Sequence, residues 1–424
     1  MTTSPARNSD ASAPRAARRR VFYIPGYDPI HPRRYRELYR KEGAAQAAIS
    51  GYELSLAARG GGGRYGWHVT ARMDGAEARA EVDVLVWSDI VRASMSHTIP
   101  ATYLQLLQTA CIYIASGALF RLMRLRKGPV IAALYPVGML LVQLAVALGL
   151  GHGAGRALAL VPAHLPLSSG GAALVAFVLY ASALFFVART VLRWFKRKDG
   201  RFYAYYLMHD YAFSARHSGA NPPALEARMA EFADDIATAL EGDVDEVLIV
   251  GHSSGAHLAV SILADLIRAG RVPEDGPALS LLTLGQVVPM VSFLRGAHRL
   301  RADLAYLAAS EALAWVDVTA PGDGCAFALC DPVSVSGVAP PGKRWPLVIS
   351  AAFTQTLSAA RWRELRWKFF RLHFQYLCAF DRPGDYDYFR ITAGPMTLGQ
   401  RFAGRAPSAS RIEKPVNEFT DIAT

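Results

Sequence analysis

The segment Val247-Leu248-Ile249-Val250-Gly251-His252-Ser253-Ser254-Gly255 joins a short apolar run to G-x-S-x-G, and His257 to Ile267 beyond it has helical composition. A serine on such a strand-to-helix turn carries its hydroxyl above the sheet, with the positive end of a helix behind it. Gly251 and Gly255 leave room there for close backbone packing. A bare G-x-S-x-G arises by chance; the flanking strand and helix make this one specific. Ser253 is therefore the expected nucleophile. No G-x-x-x-x-G-K-[ST], no G-x-G-x-x-G after a strand and no H-E-x-x-H occurs in the chain. The four cysteines, Cys111, Cys325, Cys330 and Cys378, form no C-x-x-C pair and no metal-ligand spacing. They read as reduced thiols in a reducing compartment. No metal and no organic cofactor is expected.

On this motif and its context, over residues 21–90 and 202 to about 400, the chain resembles the α/β-hydrolase superfamily of esterases and lipases. The resemblance implies an acid and then a histidine after the serine. Only His257, His298 and His373 follow Ser253. His257 lies along the elbow helix and is carried away from the nucleophile, and His298 precedes the candidate acid. His373 is left as the implied base. Ala314-Trp315-Val316-Asp317-Val318-Thr319-Ala320-Pro321-Gly322-Asp323-Gly324 offers two carboxylates. Asp323, in a glycine-flanked turn, is the favoured acid, and Asp317, within the strand, the alternative. The family's oxyanion hole corresponds here to the backbone N–H groups of Ser254 and Tyr27. Tyr27 follows Pro25-Gly26 where many relatives carry His-Gly, and Asp28 beside it reads as a loop cap or a functional carboxylate.

These groups need a framework. Val21–Ile24, Trp67–Arg72, Val82–Trp87, Val247–Val250, Leu281–Leu284 and Ala314–Val318 read as strands. Helical segments are expected over Tyr35–Ala48, Ala224–Leu240, His257–Ile267 and Leu300–Ala312. Such alternation predicts a mostly parallel sheet with helices on both faces. The expected organisation begins with a disordered basic arm at 1–20 and ends with a loosely ordered tail at 404–424. Between them, 21–100 and 202–403 form the catalytic domain, interrupted by a membrane insertion at 101–201. The apolar run after Arg18-Arg19-Arg20 is too short for a signal-peptide core, so no cleaved signal is expected.

Hydrophobic residues make up 52% of the 424 and charged residues 19%, an excess that is local. Gly128–Leu150 and Gly170–Ala188 contain no charged residue. Each is long enough to cross a hydrocarbon core of roughly 30 Å. The expected transmembrane helices are 129–150 and 170–191. Arg121, Arg124, Arg126 and Lys127 precede them, Arg193, Lys196, Arg197, Lys198 and Arg201 follow, and the loop between holds only Arg156. Both outer flanks, and with them the catalytic domain, are expected in the cytoplasm of a cell whose inner membrane the hairpin crosses. Ala101–Phe120 is uncharged too, but Thr102, Gln105 and Thr109 give it a polar stripe, so it reads as an interfacial or packed helix.

The net charge of +11 is read as pointing to anionic headgroups rather than nucleic acid, and the basic-aromatic run Arg361–Arg371 as a face for such headgroups or a plain solvated helix face. The expected activity is hydrolysis of a lipid or other small acyl ester through an acyl-serine intermediate. Acyl transfer to another acceptor, or a non-catalytic binding domain, are the rival readings.

Overall fold

A computed structural model describes residues 16–60, 63–95 and 98–422. Residues 1–15 of the expected arm, Gly61 and Gly62 of the glycine loop and the last two residues of the expected tail lie outside the described residues. The chain divides into two compact units. The first comprises Met1–Ser88, Pro223–Pro289 and His298–Thr424, and the second Asp89–Pro222 and Met290–Ala297.

The first unit is α/β. Its strands are β1 (Arg18–Ile24), β2 (Glu53–Ala58), β3 (Gly66–Met73), β4 (Ala76–Val84), β5 (Glu246–His252), β6 (Ala278–Leu284), β7 (Ala314–Thr319) and β8 (Leu347–Ser350). They form one sheet in the order β2-β3-β4-β1-β5-β6-β7-β8. Neighbours from β4 through β8 are parallel, and β3 runs against both of its partners. β5 is buried along its whole length. This is why its sequence is a continuous apolar run, since a central parallel strand is covered on both faces. β3 alternates buried and exposed residues, as an antiparallel strand near an edge does.

One face of the sheet, with Tyr23, Val82, Val250 and Val318, packs against Tyr35 and Tyr39 of the helix Arg33–Ser50 and against Phe389. The alternate residues Phe22, Val247 and Ile249 are fully buried on the other face. The helices Pro223–Leu240 and Gly255–Arg268 pack on β5.

The expected basic arm ends earlier than its composition implies. Arg18, Arg19 and Arg20 already belong to β1. Arg19 is buried against Glu246 at the start of β5, and its guanidinium also donates to the carbonyls of Gly394 and Met396. Glu246 in turn accepts from Ser280 Oγ at 2.6 Å and Leu398 N at 2.7 Å. Removing one partner of such a buried pair strands the other charge, a loss of about 3–5 kcal/mol. β4 starts at Ala76, earlier than the expected Val82, and β2 and β8 are additions to the expected strands. The expected tail has no long regular element but is bonded: Ser408 N donates to Val348 O, Ile412 N to Leu329 O and Asp331 N to Ile412 O.

The second unit is helical. Ile99–Ala115, capped by Thr98, breaks at Gly117 (φ 66°) before Ala118–Leu125, a bend of 73°. The expected single helix over 101–120 is thus two. Its polar stripe does not face headgroups: Thr102 and Thr109 are buried, and Gln105 Oε1 lies 2.8 Å from His209 Nδ1 of the helix Ala204–Ala215. That helix, assigned by sequence to the catalytic domain, packs here with Leu106 and Leu140.

The helices Lys127–Ala159 and Ser169–Arg197 run longer than the expected spans. Both are long and apolar enough to cross a membrane; the bent pair would make a third span if counted as one. They approach closely at Gly151 and Gly155, where a Cβ would lie 2.8 Å from Leu184 O and 2.7 Å from Tyr180 Cδ2. Phe177, Phe186 and Leu174 point outward, each more than 60% exposed.

Candidate active site

β5 delivers its last residue, His252, into a turn on which Ser253 adopts a left-handed conformation (φ 57°). A non-glycine residue there is strained, and such strain gathers at sites where geometry serves chemistry. The turn is locked from three sides. Ser253 N donates to Leu284 O at the end of β6 (2.9 Å). At Gly255 a Cβ would lie 2.1 Å from Ile24 O, so only glycine lets the elbow helix approach β1. At Gly26 a Cβ would lie 3.0 Å from Ser253 Cβ and 3.4 Å from its Oγ, so the loop after β1 lies directly against the serine. Trp87 Nε1 donates to Pro25 O (2.9 Å) and holds that loop. Ser253 is partly exposed between buried neighbours.

The structure brings Asp323 and His373 together. His373 Nδ1 lies 2.7 Å from Asp323 Oδ2, with both residues buried. Asp323 sits in the turn after β7, and His373 ends the helix Phe369–His373. The carboxylate takes two further hydrogen bonds, from Cys325 N to Oδ1 (2.8 Å) and from Tyr376 OH to Oδ2 (3.0 Å). Burial alone would raise this carboxyl, but the His373 charge and these hydrogen bonds outweigh it and hold it below its ordinary value. Asp323 is therefore built to stay ionised beside the imidazole.

His373 also lies beside the elbow. The ring of His252, adjacent to the serine, is 4.9 Å from the His373 ring, and His252 Nε2 donates to His373 O (3.0 Å). Burial, then the neighbouring His373 charge, lowers His252 to about 3, so it stays neutral and cannot compete as a base near neutral pH. Gly285, next to the residue that receives the Ser253 N–H, has φ 52°. A Cβ there would lie 3.1 Å from His373 Cε1 and 2.7 Å from Tyr376 Cε2.

The two expected oxyanion donors differ. Ser254 N has no hydrogen-bond partner among the described residues. Tyr27 N donates to Ser254 Oγ at 3.1 Å, so this amide is aimed at the elbow and engaged by a hydroxyl that can rotate away. Asp28 resolves as a loop cap, accepting from Ile30 N, Arg34 Nη1 and Tyr35 OH.

Asp317 is buried within β7, accepts from Thr283 Oγ1 (2.6 Å) and is raised to about 8 by burial. His257 is buried on the elbow helix and lowered to about 4 by burial, while His298 is exposed at the start of another helix. Neither histidine has a hydrogen bond to Asp323.

Tyr376, His252 and Cys325 were not singled out as site residues from sequence. His252 occupies a variable position inside the motif. Tyr376 follows His373 by three residues, one turn of the 3₁₀ segment Phe374–Leu377, a spacing that places the two side chains on one side of the segment. One ligand atom each from Asp323, Cys325 and His373 lies within 4.8 Å of the other two, a metal-ligating donor set among the described residues. No protein-family model, curated protein or solved structure matches the chain.

Proposed function

We propose that the chain is a serine hydrolase of the α/β-hydrolase type, anchored in a membrane by its helical hairpin. The observation that carries this reading is the strained Ser253 at the end of β5, in the same unit as the buried Asp323–His373 hydrogen bond.

In the proposed reaction Ser253 Oγ attacks the acyl carbon as His373 Nε2 takes its proton. Asp323 holds the proton on Nδ1, so that Nε2 presents its lone pair, and stabilises the imidazolium that forms. The developing oxyanion is met by Ser254 N–H, and by Tyr27 N–H once the Ser254 hydroxyl yields it. His373 then returns the proton to the leaving alcohol, and water repeats the sequence on the acyl-serine. Tyr376, bonded to both Asp323 Oδ2 and Ala320 N, positions the acid.

The basic flanks of the hairpin support a cytoplasmic placement of the α/β unit in an inner membrane, and an acyl ester drawn from or near the lipid phase as substrate. Labelling of the full-length protein with a fluorophosphonate probe tests the chemistry. Wild type is expected to label and Ser253→Ala not to; equal labelling of the two ends the proposal. Reporter fusions in the 160–168 connection should report the non-cytoplasmic side, and fusions after Thr424 the cytoplasmic side.

A further inference from the structure

Beside the His373–Asp323 pair lies a thiol that acyl transfer does not use. Cys325 stands two residues from Asp323 on the turn after β7, half-buried, and its sulfur belongs to the group whose ligand atoms lie within 4.8 Å of one another. Carboxylate oxygen, imidazole nitrogen and thiolate sulfur together suit zinc and its cobalt surrogate, not magnesium or calcium. Tetrahedral zinc, with bonds of about 2.0–2.3 Å, holds its ligand atoms about 3.3–3.8 Å apart. A pair near the 4.8 Å limit must close by about an ångström, and His373 Nδ1 and Asp323 Oδ2, now 2.7 Å apart, must open by about half of one, to give a three-ligand site with one position open to water.

We propose that Asp323, Cys325 and His373 form an inhibitory site for zinc or another thiophilic divalent cation, which turns the enzyme off by capturing its base. This rests on the reading of His373 as that base. The chemistry of capture follows from the imidazole. His373 Nδ1 faces Asp323. When the metal takes Nδ1, the proton of the neutral ring moves to Nε2, the tautomer that cannot accept a proton from Ser253. The Cys325 thiol loses its proton to solvent and binds as thiolate. A divalent ion with one thiolate and one carboxylate is neutral overall, which a half-buried position accommodates better than a bare charge. Occupation also breaks the His373–Asp323 hydrogen bond, so base and acid are disabled together.

The test uses the full chain in detergent micelles. Cobalt titration of wild type should produce a thiolate-to-cobalt charge-transfer band in the near ultraviolet, absent from Cys325→Ser and Cys325→Ala. Zinc should slow fluorophosphonate labelling of wild type by at least about tenfold, reversibly with chelator, and lose at least about tenfold in potency against either variant. Each protein is compared with its own metal-free rate, and thermal melting shows that both variants are folded. A wild type without the band, a band that survives both substitutions, or equal zinc potency on all three proteins overturns the proposal. If metal-free wild type fails to label, the hydrolase reading falls and takes the inhibitory role with it, while the cobalt band still decides whether the metal binds.

Discussion

The α/β unit and the hairpin use the same apolar residue types in opposite ways. Along β5 every side chain is buried, and the unit closes its polar groups into networks such as Arg19–Glu246–Ser280 and Tyr376–Asp323–His373. Along Ser169–Arg197 many large side chains face outward, and no charge occurs before Arg189. Gln143 in Lys127–Ala159 is buried with neither amide atom paired, a contrast with Glu246 of β5, which accepts from Arg19, Ser280 and Leu398. The difference shows where chemistry has a place to reside. Strands separated by turns let distant titratable groups meet and satisfy one another. A helix in lipid satisfies its own backbone and excludes ionised side chains.

The largest effect belongs to the nucleophile and base. Ser253→Ala and His373→Ala should each lower ester turnover by about 10⁴–10⁶-fold, and the double variant should cost scarcely more than either, because the pair acts as a unit. Wild-type labelling kinetics in His373→Ala would make the histidine structural and dissolve the network.

Next comes the acid. Asp323→Asn should reduce turnover by about 10⁴-fold, since the amide favours the wrong imidazole tautomer. Asp317→Asn should leave turnover near that of wild type. Loss of activity in a well-folded Asp317→Asn, with Asp323→Asn active, would exchange their roles.

On the hairpin side, Phe177→Arg places a charge on an outward face near the middle of a span, at a cost of about 2.5–3.5 kcal/mol in insertion. Phe177→Leu should be neutral. The readout is the inserted fraction in a membrane-integration assay, and equal insertion of the two variants would mean that this face does not meet lipid.

The smallest effect is a pH dependence of stability. Asp317 is raised from 3.8 to about 8 in the fold, so between those values the unfolded chain ionises while the folded one does not. Stability is therefore lost as pH rises through that window. Asp317→Asn should melt higher than wild type at pH 8, by an amount that shrinks toward pH 4; a difference independent of pH rejects the buried, protonated carboxyl. His252 and His257 act in the other direction. Both are depressed below 6.5, so their contribution is present above that value and lost as pH falls.

What was legible in the chain was local. The elbow needs only a buried strand, two glycines and a helix start, all within nine residues. A helix long and apolar enough to cross a membrane announces itself by the absence of charge. What escaped was written at long range. Arg18–Arg20 look like a solvated arm until Glu246 arrives beside Arg19 from 227 positions away. β8 has four residues, too few for a period to show. The polar stripe of Ile99–Ala115 reads as interfacial or packed, and only the fold decides for packing, because its partner, His209, lies beyond both apolar helices. Asp323 and His373 could be ordered along the chain only through a resemblance, since their pairing is a tertiary fact with no local signature.

The site of the interruption has a consequence for biosynthesis. β4 and β5 are the two neighbours of β1, and the whole helical segment lies between them in sequence. A ribosome adding about 5–20 residues per second therefore needs roughly 10–30 seconds to travel from β4 to β5. Through that interval β1 can pair on one side only, and its other edge is a template for unwanted partners. Arg18 and Arg19 at the head of the strand, later met by Asp243 and Glu246, keep that waiting edge charged until its partner emerges.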